Sequence, residues 1–161
     1  MKLIVDKNKQ GLQTKEFREY LKTPCPKTEI TQNEADELRM QLTEALIQNP
    51  GLGISATQIG IKKRACYINF GDEELFLVNP VIKEKSKEGF LFLEGCLSIP
   101  SSLTKPVRTI RACKVVIDTD NLGELTFEIN PEYKIVLLGD ILDRGLYALD
   151  ILMPQVHIRQ S

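Results

Sequence analysis

The stretch Leu93–Pro100, LEGCLSIP, follows an apolar run and places a cysteine between a glycine and a leucine. Cys96 is a candidate metal ligand or nucleophile there, because a cysteine thiolate serves in both roles. The same stretch also fits a buried cysteine with a structural role, which is the more common role of a lone cysteine. The chain contains one histidine, His157, so a metal site with two or three histidine ligands cannot be built within it.

A second unusual stretch, GLGISATQIG, occupies residues 51–60. Gly51 and Gly53 allow a tight turn or the close approach of a ligand to the backbone. Gln58 carries a side-chain amide that both donates and accepts hydrogen bonds. The stretch lacks the third glycine and the strand–loop–helix order of a dinucleotide site. It therefore predicts a connection between a helix and a strand.

The composition predicts one globular domain over residues 1–161, with 42% hydrophobic and 27% charged residues. A formal net charge of −1 implies no general attraction to nucleic acid or to anionic membranes. The sequence has no apolar run near the roughly 20 residues of a membrane span, and MKLIVDKNKQ does not resemble a signal peptide. We expect a cytoplasmic protein that binds neither nucleic acid nor membrane. The four cysteines form no C-x-x-C pair and suggest no disulfide framework.

Residues 31–49 predict an amphipathic helix. Thr31 can cap its start, and Glu34 follows three residues later, as a capping box requires. An apolar stripe at helical spacing is formed by Ala35, Leu38, Leu42, Ala45 and Leu46. Residues 24–30, which contain two prolines, predict an irregular connection.

The rest of the chain predicts mostly strands and one late helix. Short β-branched and aromatic runs separated by turn residues occupy residues 64–70, 75–82, 89–99, 113–119 and 124–129. Residues 136–154 predict a helix that ends at Pro154, which would leave His157 in a solvated tail. The order of these elements predicts an α+β fold with mainly antiparallel sheet.

Together the two motifs resemble the peptide deformylase family. That family carries G-x-G-x-A-A-x-Q, then E-G-C-L-S, then H-E-x-x-H on a late helix. The second pattern is intact at residues 94–98, and the first is present with Ser55 in place of an alanine. The resemblance covers roughly residues 20–155 and implies a single domain with antiparallel sheets packed around a late central helix.

In the family, a cysteine and two histidines hold a divalent metal, which is iron or a substitute such as zinc or nickel. A glutamate between the histidines is the general acid/base, and formyl is hydrolysed from N-formylmethionine. Gln58 and the backbone N–H of Leu97 match the groups that stabilise the oxyanion, and Cys96 matches the metal ligand. The resemblance implies a cleft formed by Gly51, Gly53, Ile54, Gln58, Glu94, Gly95, Cys96, Leu97 and Arg144.

The third motif is missing from this sequence. When residues 139–152 are aligned without gaps to the family's late helix, Tyr147 and Ile151 replace the histidines and Ala148 replaces the glutamate. Cys96 is then the only surviving metal ligand, since isoleucine cannot bind a metal. We therefore predict no bound metal, no other cofactor and no metal-dependent deformylase activity.

Charged residues occupy the late helix where the family keeps apolar ones. Arg144 and Asp143 stand in positions that line the methionine pocket in the family, and Asp140 lies four residues before Arg144. Arg108 and Arg111 are candidate partners for Asp150.

Three functions fit this sequence. The first is a catalytically inactive protein with a vestigial peptide-binding cleft, which acts by binding a peptide N-terminus, the ribosome or another protein. The second is a hydrolase that uses Cys96 as nucleophile, with Gln58 and the Leu97 N–H as an oxyanion hole. The third is an active peptide deformylase that holds iron, zinc or nickel with ligands from a partner.

Overall fold

The computed structural model describes residues 3, 15–69, 73–129, 137–138 and 156–160. The helices of these residues are α1 (Lys15–Lys22), α2 (Gln32–Gln48) and the short α3 (Pro100–Thr104). The strands are β1 (Gly53–Ser55), β2 (Ala65–Asn69), β3 (Glu74–Val78), β4 (Val81–Lys85), β5 (Gly89–Gly95), β6 (Val107–Ala112), β7 (Lys114–Thr119), β8 (Gly123–Ile129), β9 (Leu137–Leu138) and β10 (Val156–Gln160). None of the described helices is long and apolar enough to cross a membrane.

Helix α2 begins and ends where the sequence predicts. The Thr31 N–H donates to Glu34 Oε2 at 2.9 Å, and the Glu34 N–H donates back to Thr31 Oγ1 at 3.4 Å, which completes the capping box. Its stripe of Leu38, Leu42 and Leu46 is buried against β1 and β2. The Asn49 N–H donates to the Ala45 carbonyl and ends the helix.

The strands form three sheets, in the orders β1-β2-β3, β10-β8-β7-β4 and β6-β5-β9. All neighbouring strands are antiparallel except β5 and β9, which pair in parallel through Glu94–Leu137 and Gly95–Leu138. The prediction of an α+β fold with mainly antiparallel sheet is therefore confirmed.

Sheet β1-β2-β3 is buried on both faces. Ala65 and Tyr67 of β2 pack toward α2, in a cluster with Leu42 and Ile54. Cys66, the next residue, points the other way into a cluster that includes Ile117, Leu125 and Phe127 of the four-stranded sheet. The alternation of side chains along one strand thus joins two hydrophobic clusters into a three-layer core.

Several details differ from the predicted elements. The run 75–82 is two strands, because Asn79 adopts a left-handed φ of 51° and its Nδ2 donates to the Thr28 carbonyl and to Asp120 Oδ2. Leu137 and Leu138, predicted to be helical, belong to a strand. His157, predicted in a tail, lies in β10 opposite Glu128. Residues 139–154 of the predicted late helix lie outside the described residues.

Burial of Cys66 predicts a pH-dependent stability. Loss of solvent raises the pKa of the Cys66 thiol from 9.0 to about 12. The unfolded thiol ionises first, so the stabilisation is complete below pH 9 and is lost as the pH rises toward 12. The free energy of unfolding should fall by about 2 kcal/mol between pH 8 and 10.5 because of this group. Urea unfolding of the protein and of Cys66→Ala measures the difference, and equal pH slopes would contradict it.

Candidate functional site

Gln58 is held by the turn that follows β1. Residues Ala56–Ile59 form a 3₁₀ turn that ends at Gly60, whose φ of 89° is left-handed. Gln58 Oε1 accepts from the Ser55 N–H at 2.9 Å and from Ser55 Oγ at 3.2 Å. Because both donors lie on the oxygen side, the amide NH₂ group is directed to the opposite side.

The NH₂ group of Gln58 connects the two sequence motifs. Gln58 Nε2 donates to Ser98 Oγ at 3.4 Å and lies 3.9 Å from Cys96 Sγ. The Ser98 contact is long, since an N–H···O bond is usually about 2.9–3.0 Å, and 3.9 Å to the larger sulfur atom of Cys96 is a weak contact. Gln58 is therefore fixed firmly through its oxygen and loosely through its nitrogen.

A tight turn after β5 positions Cys96. The Ile99 N–H donates to the Cys96 carbonyl at 2.8 Å, which places Leu97 and Ser98 at the corners of the turn. Ser102, buried in α3, accepts from the Cys96 N–H at 2.7 Å and donates to the Ile99 carbonyl at 2.6 Å. The thiol is half-buried, so it lies beside the Gln58 amide at the edge of the core.

Gly51 brings the first motif against the second. A Cβ atom added at Gly51 would lie 3.1 Å from Leu97 Cδ1, which is closer than most real Cβ contacts. A larger residue at position 51 would require the Leu97 side chain to shift by a few tenths of an ångström. Tyr20 supports the same loop, since its hydroxyl donates to the Thr57 carbonyl at 2.6 Å. Burial raises the pKa of the Tyr20 hydroxyl, and the nearby Cys25 adds to the rise.

Glu94 and Arg111 form a bidentate ion pair beside Cys96. Arg111 Nε donates to one carboxylate oxygen of Glu94, and Nη2 donates to the other at 2.8 Å. Glu94 is buried and Arg111 is half-buried, so the pair cross-links β5 to β6 where little solvent is present. Asp150, the partner predicted for Arg108 or Arg111, lies outside the described residues, so that pairing stays a prediction.

The structure brings most of the predicted residues of the first two motifs together. Gly51, Gln58, Cys96 and Leu97 meet at one place, with Glu94 and Gly95 at the end of β5. Ile54 differs from the prediction, because it is fully buried in the α2 cluster and offers no surface to a ligand. Gly53 pairs with Ile68 within the sheet. The remaining predicted site residues, Arg144, Tyr147, Ala148 and Ile151, lie outside the described residues.

Two contributors to the site were not predicted. Ser102 holds the turn at Cys96, and Ser98 receives the Gln58 amide. The signal for Ser102 was weak, because a serine shortly after a proline occurs in many short helical turns. Ser98 belongs to the E-G-C-L-S pattern itself, and only the fold shows that its fully buried hydroxyl faces Gln58.

The described residues do not fit the metal that the motifs imply. No cluster of three histidine, cysteine, aspartate or glutamate side chains that could hold an ion is present among them. The one histidine of the chain is in β10, in the four-stranded sheet, whereas Cys96 follows β5 of another sheet. A single thiolate is one ligand where a catalytic zinc-type site uses three.

Comparison with known proteins identifies the family. The model of the family described as polypeptide deformylase matches residues 14–133. The chain belongs to this family. The matched region contains both motifs and the whole arrangement of Gln58, Cys96 and the Glu94–Arg111 pair. It ends before residues 139–152, where the family's third motif would lie.

Individual deformylases support the same conclusion. The peptide deformylase of Natranaerobius thermophilus is 34% identical over 97 residues, which are 57% of this chain and 62% of that protein. For two other curated deformylases the chain spans 52% and 44% of their length. A probable peptide deformylase from Synechococcus phage S-SSM7 has a similar structure, with a TM-score of 0.60, 27% identity, and coverage of 74% of this chain and 75% of that one. The deformylase of Vibrio parahaemolyticus phage VP16T, solved with actinonin, has the same fold, with a TM-score of 0.61, 22% identity, and coverage of 81% and 86%.

Proposed function

We propose that this chain is a deformylase-fold protein that lacks metal-dependent catalysis and acts by binding a peptide N-terminus in the cleft beside Gln58 and Cys96. The observation that carries the proposal is the ligand set. One histidine is present in the chain, it lies in β10, and the family's two histidines and glutamate align with Tyr147, Ile151 and Ala148. Without those groups the chain lacks the ligands and the general acid/base that the family uses to activate water at a metal.

The geometry around Gln58 supports a binding role. Among the described residues, the contacts of the amide NH₂ group are long, at 3.4 Å to Ser98 and 3.9 Å to Cys96. A carbonyl oxygen of a ligand that approached the NH₂ group could accept a shorter hydrogen bond than the 3.4 Å contact to Ser98. Since Ser55 holds Oε1, the donor does not need to reorient when the ligand binds. The site is therefore preorganised to recognise a carbonyl such as that of a formyl group.

The proposal predicts that a formylated peptide binds without metal. An N-formylmethionyl tripeptide titrated into the EDTA-treated chain should give saturable heat and shift the NMR signals of the Gln58 side-chain amide. The same tripeptide without its formyl group should bind more weakly, because it lacks the carbonyl that Gln58 recognises. Actinonin, the ligand of the phage VP16T deformylase, is a second probe of the same cleft.

A matched pair of variants tests whether Gln58 is the donor. Gln58→Glu keeps an acceptor for the Ser55 N–H but replaces the NH₂ group with an oxygen, so the affinity for the formylated peptide should fall by about tenfold or more. Gln41→Glu makes the same chemical change on α2, where Gln41 donates to Glu37, and should leave the affinity unchanged. No saturable binding of either probe, or equal effects of the two variants, would overturn the proposal.

A further inference from the structure

The hairpin formed by β5 and β6 carries an apolar surface that the cleft does not use. Its outer face consists of Leu91 and Leu93 from β5 and of Arg108 and Ile110 from β6. Leu91 pairs with Ile110, and Leu93 pairs with Arg108. The two members of the first pair are 63% and 79% exposed, which is unusual for large apolar residues side by side.

Strand β6 is also an edge of its sheet. The order β6-β5-β9 places no described strand on its other side. Natural edge strands are usually protected by charged side chains (lysine above all), proline, a bulge, short length, or a helix or loop that covers the edge. Strand β6 extends over six residues, pairs with β5 without a bulge, and contains neither lysine nor proline. Arg111 is engaged with Glu94, which leaves Arg108 as the charge facing outward on this strand.

The hydrogen-bond pattern shows which groups of β6 face the open edge. The Cys113 N–H donates to the Glu88 carbonyl at 3.0 Å, and bonded pairs alternate along an antiparallel ladder. Val107, Thr109 and Arg111 therefore direct their backbone groups toward β5. Arg108, Ile110 and Ala112 direct theirs away from β5. Ile110, at the centre of this second set, is also the most exposed large apolar residue of the outer face.

We propose that the occupant of this edge is a second copy of the chain, which pairs β6 with β6 about a twofold axis through Ile110. In that register Ile110 lies opposite the partner's Ile110, and the two residues exchange both backbone hydrogen bonds. Arg108 lies opposite the partner's Ala112, and Thr109 lies opposite the partner's Arg111. No arginine faces an arginine directly, so the register avoids like-charge pairs across the interface.

The same register joins the two outer faces. A twofold axis perpendicular to the sheet keeps side chains of the outer face on one side, so Leu91 and Ile110 of both chains form one apolar strip. The register pairs five residues of each β6, Arg108–Ala112, whereas a standard interface has about 20–30 residues on each side. The dimer is therefore expected to form and dissociate with protein concentration.

Sedimentation analysis of the full chain tests the proposal. The weight-average mass should rise from 18.2 kDa toward twice that value as the concentration increases from low micromolar to near millimolar. Ile110→Lys should abolish this rise, because it places a charge at the centre of the strip. Ile47→Lys is the matched control, since Ile47 on α2 is 75% exposed, and it should leave the rise unchanged. Far-UV circular dichroism confirms that both variants fold.

A cross-linking variant tests the register directly. In a bonded antiparallel pair the Cα atoms lie about 5.5 Å apart, which suits a disulfide. Ile110→Cys should therefore oxidise to a covalent dimer in air, and Ile47→Cys should not. If the mass stays at 18.2 kDa at every concentration, the chain does not pair with a second copy through β6, and the proposal is overturned. Equal effects of the variants at positions 47 and 110 overturn it as well.

Discussion

Formyl hydrolysis by this chain is expected to stay at the uncatalysed rate when iron(II), nickel or zinc is added. The general acid/base alone contributes about 10²–10⁴-fold in enzymes that use one, and Ala148 aligns with that residue. The family's reaction also requires a water molecule activated by the bound metal, and Cys96 alone cannot hold that metal ion. A formyl-Met-peptide assay with each metal, together with metal analysis of the purified protein, measures the result.

Cys96→Ala is the decisive control for this prediction. If the chain has no metal site, the variant and the parent should show the same background rate and the same low metal content. A rate that appears with metal and disappears in Cys96→Ala would establish an active deformylase. Such a result would refute the catalytic part of the proposed function. The peptide-binding part is tested separately, because those titrations are performed in EDTA.

Arg111→Ala is expected to give a large loss of stability. Glu94 is buried, and removal of Arg111 takes away both hydrogen bonds of the bidentate pair. Breaking a fully buried pair costs about 3–5 kcal/mol. The Arg111 side chain is 25% exposed, so we expect about 2–3 kcal/mol here. Urea unfolding measures the change in the free energy of unfolding.

Arg108→Ala is the matched control on the same strand. Arg108 is exposed on the outer face, so its loss should change the free energy of unfolding by less than about 0.5 kcal/mol. Glu94→Gln with Arg111 intact should be milder than Arg111→Ala, because the amide still accepts one hydrogen bond. Equal effects of Arg108→Ala and Arg111→Ala would show that the ion pair does not stabilise the sheet.

Local sequence signals predicted part of the fold well. The capping box at Thr31 and Glu34 fixed the start of α2, because both of its hydrogen bonds are local. Strands β2, β7 and β8 were also predicted close to their observed bounds. Strand β6 was missed because its residues, VRTIRA, show little alternation of apolar and polar side chains. Strand β10 was missed because it depends on a distant partner, β8.

The candidate site was predictable in its residues but not in its contacts. The two motifs identify Gln58, Cys96 and Leu97, and the structure places them together. The sequence does not show that Glu94 pairs with Arg111, since this contact depends on the register of β5 and β6. Ile54 was assigned to the cleft from its motif, yet the side-chain alternation of β1 directs it into the core.

The position of β2 between two hydrophobic clusters has a consequence for how the molecule opens. Tyr67 belongs to the cluster on the α2 side, and its neighbours Cys66 and Ile68 belong to the other. If either cluster unfolded alone, one face of β2 would be exposed to water. The backbone amides of Ala65–Asn69 should therefore exchange with deuterium only through global unfolding, and the two clusters should melt as one cooperative unit.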